Sequence, residues 1–144
     1  MPRSLVTALA YVTRGQIRSG RLHKIWERIR VTKGKDQREA AEELVMKVKV
    51  KIPREGCSLN EIEKFQLYLS LNGIAIVVYF YNTFAKGGQP LYDGTDFVLN
   101  KMRDNEHNRA LRTLRIMFYE RKNHFEPILN LTGAAGSRGV LYTM

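Results

Sequence analysis

The 144-residue chain carries 24 Lys and Arg against 14 Asp and Glu, a net charge of +10, with 44% hydrophobic and 26% charged residues. That is the size and balance of one globular domain burying roughly two-thirds of its unfolded surface, and it excludes a disordered or fibrous chain. The longest apolar run, the seven residues Ile74 to Phe80, falls well short of the roughly twenty that cross a bilayer, and a lone cysteine, Cys57, excludes an intramolecular disulfide or a multi-thiolate zinc site.

The N-terminal third reads as helical. Leu5, Ala8, Leu9 and Val12 recur at i, i+3, i+4 and i+7, the stripe of an amphipathic helix, with Ser4 as its expected cap and Gly15 as its end. Leu22, Ile25, Trp26 and Ile29 repeat the spacing in a second helix that carries basic residues on its other faces. A third helix is expected from about Asp36 to Lys49, capped by Asp36 with Glu39 three residues on, and with Ala40, Ala41, Leu44, Val45 and Val48 inward. Ser58 and Glu61 form the capping box of a fourth, whose buried side is Leu59, Ile62, Phe65, Gln66 and Leu69 and which Asn72-Gly73 stops.

The period then changes. Ile74 to Tyr81 predicts a buried central strand, followed by short strands at Leu91-Tyr92, Leu114 to Tyr119 and Phe125 to Leu129. Asp96 to Arg112 is either a long loop or a short exposed helix. Residues 132–144, with three glycines, are expected to form a flexible C-terminal tail. The fold class expected is α+β, with N-terminal helices followed by a small mixed β-sheet, in a single domain over residues 1–131.

Charge is concentrated. Residues 1–54 hold fourteen basic residues and five acids, so nearly all of the excess lies there. Such an excess favours polyanions, DNA or another nucleic acid above all, through phosphate neutralisation. Arg18, Arg21, Lys24, Arg28, Lys33 and Lys35 flank the second apolar stripe and are the candidate contacts; the alternative is a solvated basic face. No membrane partner is expected. Neither is a secretory signal, since Met1 to Tyr11 lacks the long apolar run and small-residue cleavage site of one. An intracellular setting, nucleus or cytoplasm, suits the single thiol.

The chemistry-bearing residues are sparse. Cys57, just before a helix, and His124, opening a strand, are the only nucleophile and base worth pairing. For Cys57 the simpler role is a small residue packing a helix start. His23, His107 and His124 lack metal-ligand spacing, so neither a metal nor another cofactor is expected. Gly133 to Gly139 lacks the following helix and Lys of a phosphate loop. Tyr92-Asp93-Gly94-Thr95-Asp96 has the composition of a polymerase metal motif in scrambled order, and reads as a turn after a strand.

Five segments in order carry a resemblance: Met1-Pro-Arg-Ser-Leu-Val-Thr-Ala, Gln37-Arg-Glu-Ala-Ala-Glu-Glu-Leu, Gly56-Cys-Ser-Leu-Asn-Glu-Ile-Glu-Lys-Phe-Gln, Ile74-Ala-Ile-Val-Val-Tyr and His124-Phe-Glu-Pro-Ile. The series resembles the N-terminal region of protein-primed family B DNA polymerases of polinton (Maverick) transposons and related viruses. That region is itself similar to ovarian-tumour (OTU) type, papain-like cysteine proteases. In the OTU pattern the catalytic cysteine immediately precedes the first helix, in a Cys-Leu-Pro-Arg-Ala-Leu-like context. Pro2-Arg3-Ser4-Leu5 matches the residues after it, so the resemblance places the nucleophile ahead of Met1 and gives Cys57 no role. His124 matches the His of a His-Tyr-Asp motif, with Phe125 for Tyr and Glu126 for Asp.

The resemblance implies a non-catalytic N-terminal module of a polymerase whose core is absent here, with the rest of that polymerase or a priming protein as partner. An OTU-like cysteine protease using His124 with Cys57 or an upstream cysteine is the alternative from the enzyme class. A stand-alone basic nucleic-acid-binding protein is the third.

Overall fold

Pro2 opens the first helix, α1 (Pro2–Thr13), where its missing N–H has no intrahelical partner to lose. The computed structural model describes residues 2–13, 21–31, 34–54, 56–81, 88–103, 111–119 and 124–129. Within them lie five helices and a four-stranded mixed sheet, an α+β fold. The expected helix end at Gly15 and the expected tail at 132–144 fall outside the described residues.

α1 is the pivot of the helical layer. Leu5, Val6, Ala8 and Ala10 are all buried, more than one stripe, because α2 (Arg21–Ile29) and α3 (Lys35–Val48) pack on it as well as the sheet. Ser4, expected as the cap, sits inside the first turn instead, since the helix starts two residues earlier. At the other end the Arg112 guanidinium donates to the Val12 carbonyl at 3.0 Å, satisfying one of the carbonyls that a helix end leaves open. On α2, Trp26 and Ile29 are buried and Tyr11 meets the Trp26 ring edge-on at 5.1 Å. Gln37 on α3 ties the three helices together. Its buried carboxamide donates to Thr7 Oγ1 at 3.1 Å and to the Ile29 carbonyl at 3.0 Å.

Two helix starts differ from expectation. Gly34, in extended backbone at φ −74° and ψ 160°, takes the cap position of α3, so Asp36 lies in the first turn rather than capping it. In α4 (Leu59–Ser70) the capping box forms, with the Ser58 N–H and hydroxyl both donating to Glu61 Oε1 at 2.7 and 2.8 Å. Leu59 is nevertheless exposed, because Glu61 and Ile62 take the inward face of that turn.

The sheet runs β2-β1-β3-β4, with β1 (Ile74–Phe80), β2 (Tyr92–Asp93), β3 (Arg112–Tyr119) and β4 (His124–Pro127). β1 and β3 are parallel, Ile74 opposite Arg112, while β2 and β4 are antiparallel additions at the two edges. Ile74, Ile76, Val78, Leu114, Ile116 and Phe125 share one core with Leu5, Ile62, Phe65 and Leu69 of the helices. Ala75, Val77 and Met117 alternate with them toward the other face, which α5 (Thr95–Arg103) covers with its buried Val98. This helix takes the first part of the segment Asp96 to Arg112, whose end, Arg112, opens β3; residues 104–110 fall outside the described residues. Tyr92 to Asp96 runs from β2 through Gly94 into the first turn of α5, where Asp93 Oδ1 accepts the Thr95 N–H at 2.9 Å. Among the described residues no helix is long and apolar enough to cross a membrane.

Candidate functional site

His124 lies at the start of the edge strand β4, directly beside the first turn of α1. The Ser4 hydroxyl fixes that juxtaposition by donating to the Phe125 carbonyl at 2.8 Å. Because Phe125 points into the core, His124 and Glu126 project together from the other side of the strand. Their side chains meet, Nε2 to Oε1, at 3.3 Å, each about half exposed. A carboxylate at that distance can orient the imidazole.

Two hollows open next to this pair. One, of about 660 Å³, is lined by Ala41, Val45 and Met46 of α3 together with Arg3, Arg38 and His124. The second, of about 670 Å³, runs past Arg30, Val31 and Trp26 on the α2 side to Pro127 and Leu129. Arg3, Ser4, His124 and Phe125 border both, so the two form one trough along α1 and β4. Sequence reading did not assemble this trough. Its walls come from four separate elements, and the one local signal was the i, i+4, i+8 spacing of Arg38, Glu42 and Met46 on α3.

Cys57 lines neither hollow, so the structure does not bring it together with His124 there. It is half-buried against the core, and burial pushes its thiol pKa up, with the Glu61 charge adding to the rise. Its place ahead of α4 is therefore not accompanied by a lowered thiol pKa, because burial disfavours the charged form. Among the described residues no three His, Cys, Asp or Glu side chains are grouped to hold a metal ion.

Of the candidate nucleic-acid contacts, Lys24 and Arg28 are exposed one turn apart on α2, opposite buried Trp26 and Ile29. No carboxylate among the described residues pairs with either. Arg21 opens the same helix. Lys35 is exposed at the start of α3 and stands 3.8 Å from Glu39, a solvated contact that holds it only weakly. Arg18 and Lys33 lie outside the described residues.

Comparisons with protein-family models, with curated proteins and with solved structures find no match for this chain.

Proposed function

We propose that this chain is a non-catalytic, OTU-like N-terminal module of a polinton-type, protein-primed DNA polymerase, and that it contacts DNA through the outer face of α2. The observation that carries the DNA contact is the pair Lys24 and Arg28, exposed one turn apart and unpaired among the described residues. Their helix spends its opposite face on the core, so the cationic heads are free to meet phosphates spaced along a backbone. The juxtaposition of α1's first turn with His124 supports the OTU-like part of the reading. The module would act within the cell, in nucleus or cytoplasm, alongside the polymerase core or a priming protein.

The test is fluorescence anisotropy of labelled single- and double-stranded DNA over a range of salt. About four phosphate contacts give a slope of log K against log salt of roughly −3 to −4, with little sequence preference. Salt-independent binding, or none at low salt by the folded chain, overturns the reading.

One observation favours a second reading, an OTU-like cysteine protease. The His124–Glu126 contact at 3.3 Å is a general base with its orienting carboxylate. A ubiquitin-type activity probe separates the two: labelling that requires His124 supports the protease.

A further inference from the structure

We propose that the trough along α1 and β4 is a peptide-docking site, for an extended segment with apolar side chains toward its two ends and carboxylates between them. The site is separate from the α2 face, because Lys24 and Arg28 line neither hollow.

The distribution of chemistry along the trough selects that occupant. One end is apolar, with Val45 and a 76% exposed Met46; the other offers Val31, 55% exposed, and Leu129. Large apolar side chains at opposite ends of one concave surface are anchor points, and methionine adapts its shape to what it meets. Arg3 borders both hollows and so stands between them, with Arg38 lining the α3 side, neither paired with a carboxylate among the described residues, and Arg30, which meets Glu27 at 3.2 Å on the surface, lining the α2 side. Glu42 and Glu126 also border the trough, and the three arginines outnumber them.

A nucleic-acid strand fits this surface poorly, because evenly spaced phosphates would lie over the Val45–Met46 and Val31–Leu129 ends. Strand addition to β4 is blocked as well. Ser4 already occupies the Phe125 carbonyl, and Pro127 has no N–H to give. The guest must therefore be held by its side chains, arginine to carboxylate in the middle and apolar contacts at the ends.

The test uses the full chain and a short fluorescein-labelled peptide with a Leu-Glu-Asp-Leu core, titrated at physiological salt. Saturable binding is expected, with about tenfold losses on Arg38→Glu and on Met46→Asp. Both positions are exposed, and Trp26 fluorescence reports that the fold persists. The double variant Lys24→Ala/Arg28→Ala should bind the peptide as the parent does. Equal binding of a Leu-Lys-Lys-Leu peptide, no effect of the two trough variants, or no binding by the folded chain up to about 1 mM peptide overturns the proposal. So does displacement of the peptide by single-stranded DNA from the Lys24→Ala/Arg28→Ala chain, which would assign the trough to nucleic acid.

Discussion

The hydroxyl of Ser4 and the carbonyl of Phe125, 121 positions apart in the chain, are hydrogen-bonded at 2.8 Å in the interior. This bond fastens the first turn of α1 to an edge strand that has a ladder partner on one side only. Ser4→Ala removes the donor and leaves a buried carbonyl without it. A loss of about 1–3 kcal/mol is expected in urea unfolding, with amide exchange in β4 accelerating more than in β1. Unchanged stability would show that the carbonyl finds another partner.

Gly94 and Gln66 form a second long-range lock. The Gln66 carboxamide donates to the Ile74 carbonyl at 2.9 Å and accepts the Ile76 N–H at 2.7 Å, completing the edge of β1 beyond the two residues that β2 covers. A Cβ on Gly94 would collide with that carboxamide. Gly94→Ala is therefore expected to cost about 2 kcal/mol or more, and distinctly less in a Gln66→Ala background. Additive losses in the double-mutant cycle would show that the contact does not carry the effect.

The local chemistry of the fold was legible in the sequence, and its long-range chemistry was not. The Ser58–Glu61 capping box and the Ile74–Phe80 run work within a few residues of themselves, so spacing reveals them. Ser4 looks like a cap for the same local reason, and only the folded chain shows its hydroxyl committed to β4. α5 was obscured because one buried residue, Val98, draws no stripe among Asp96, Lys101 and Arg103. At the candidate site, a motif marks His124 and Glu126 in the sequence, and charge marks Lys24 and Arg28. The trough is not legible there, since Arg3, Arg30 and the Arg38–Met46 face of α3 come from separate parts of the chain, and the spacing on α3 alone does not show what faces it.

Stability should depend on pH through Glu61. Two bonds from Ser58, backbone N–H first and hydroxyl second, hold its carboxyl below the ordinary carboxylate range. A depressed folded pKa means that the contribution is complete above the unfolded value, about 4.3 for Glu, and is lost as pH falls through the lower folded value. Glu61→Gln should lower the urea midpoint at neutral pH, and the gap to the parent should close on acidification through that window. A gap that stays constant down to the acid limit would remove Glu61 from the pH dependence.

Cys57 should behave as an inert thiol. Burial raises its pKa, so little thiolate exists at neutral pH and iodoacetamide labelling should be slower than that of a free thiol. His124→Ala should leave the labelling rate unchanged, and a ubiquitin-type probe should not capture Cys57. Fast labelling abolished by His124→Ala would instead demonstrate a working cysteine–histidine pair.

The basic face of α2 makes the most direct demand on experiment. Arg21, Lys24 and Arg28 lie on one helix, and Lys24 and Arg28 are exposed with no carboxylate partner among the described residues, so replacing these two with Ala, alone and then together with Arg21, removes charge from the helix. Stability should change by no more than about 0.5 kcal/mol per exposed substitution. Trp26, only 9% exposed on the same helix, should keep the fluorescence of a buried indole and so separate lost charge from lost structure. DNA affinity should fall, and the salt slope should flatten by about one unit for each phosphate contact removed. A slope that stays unchanged while affinity drops would place the contacts elsewhere, since counterion release counts the phosphates neutralised.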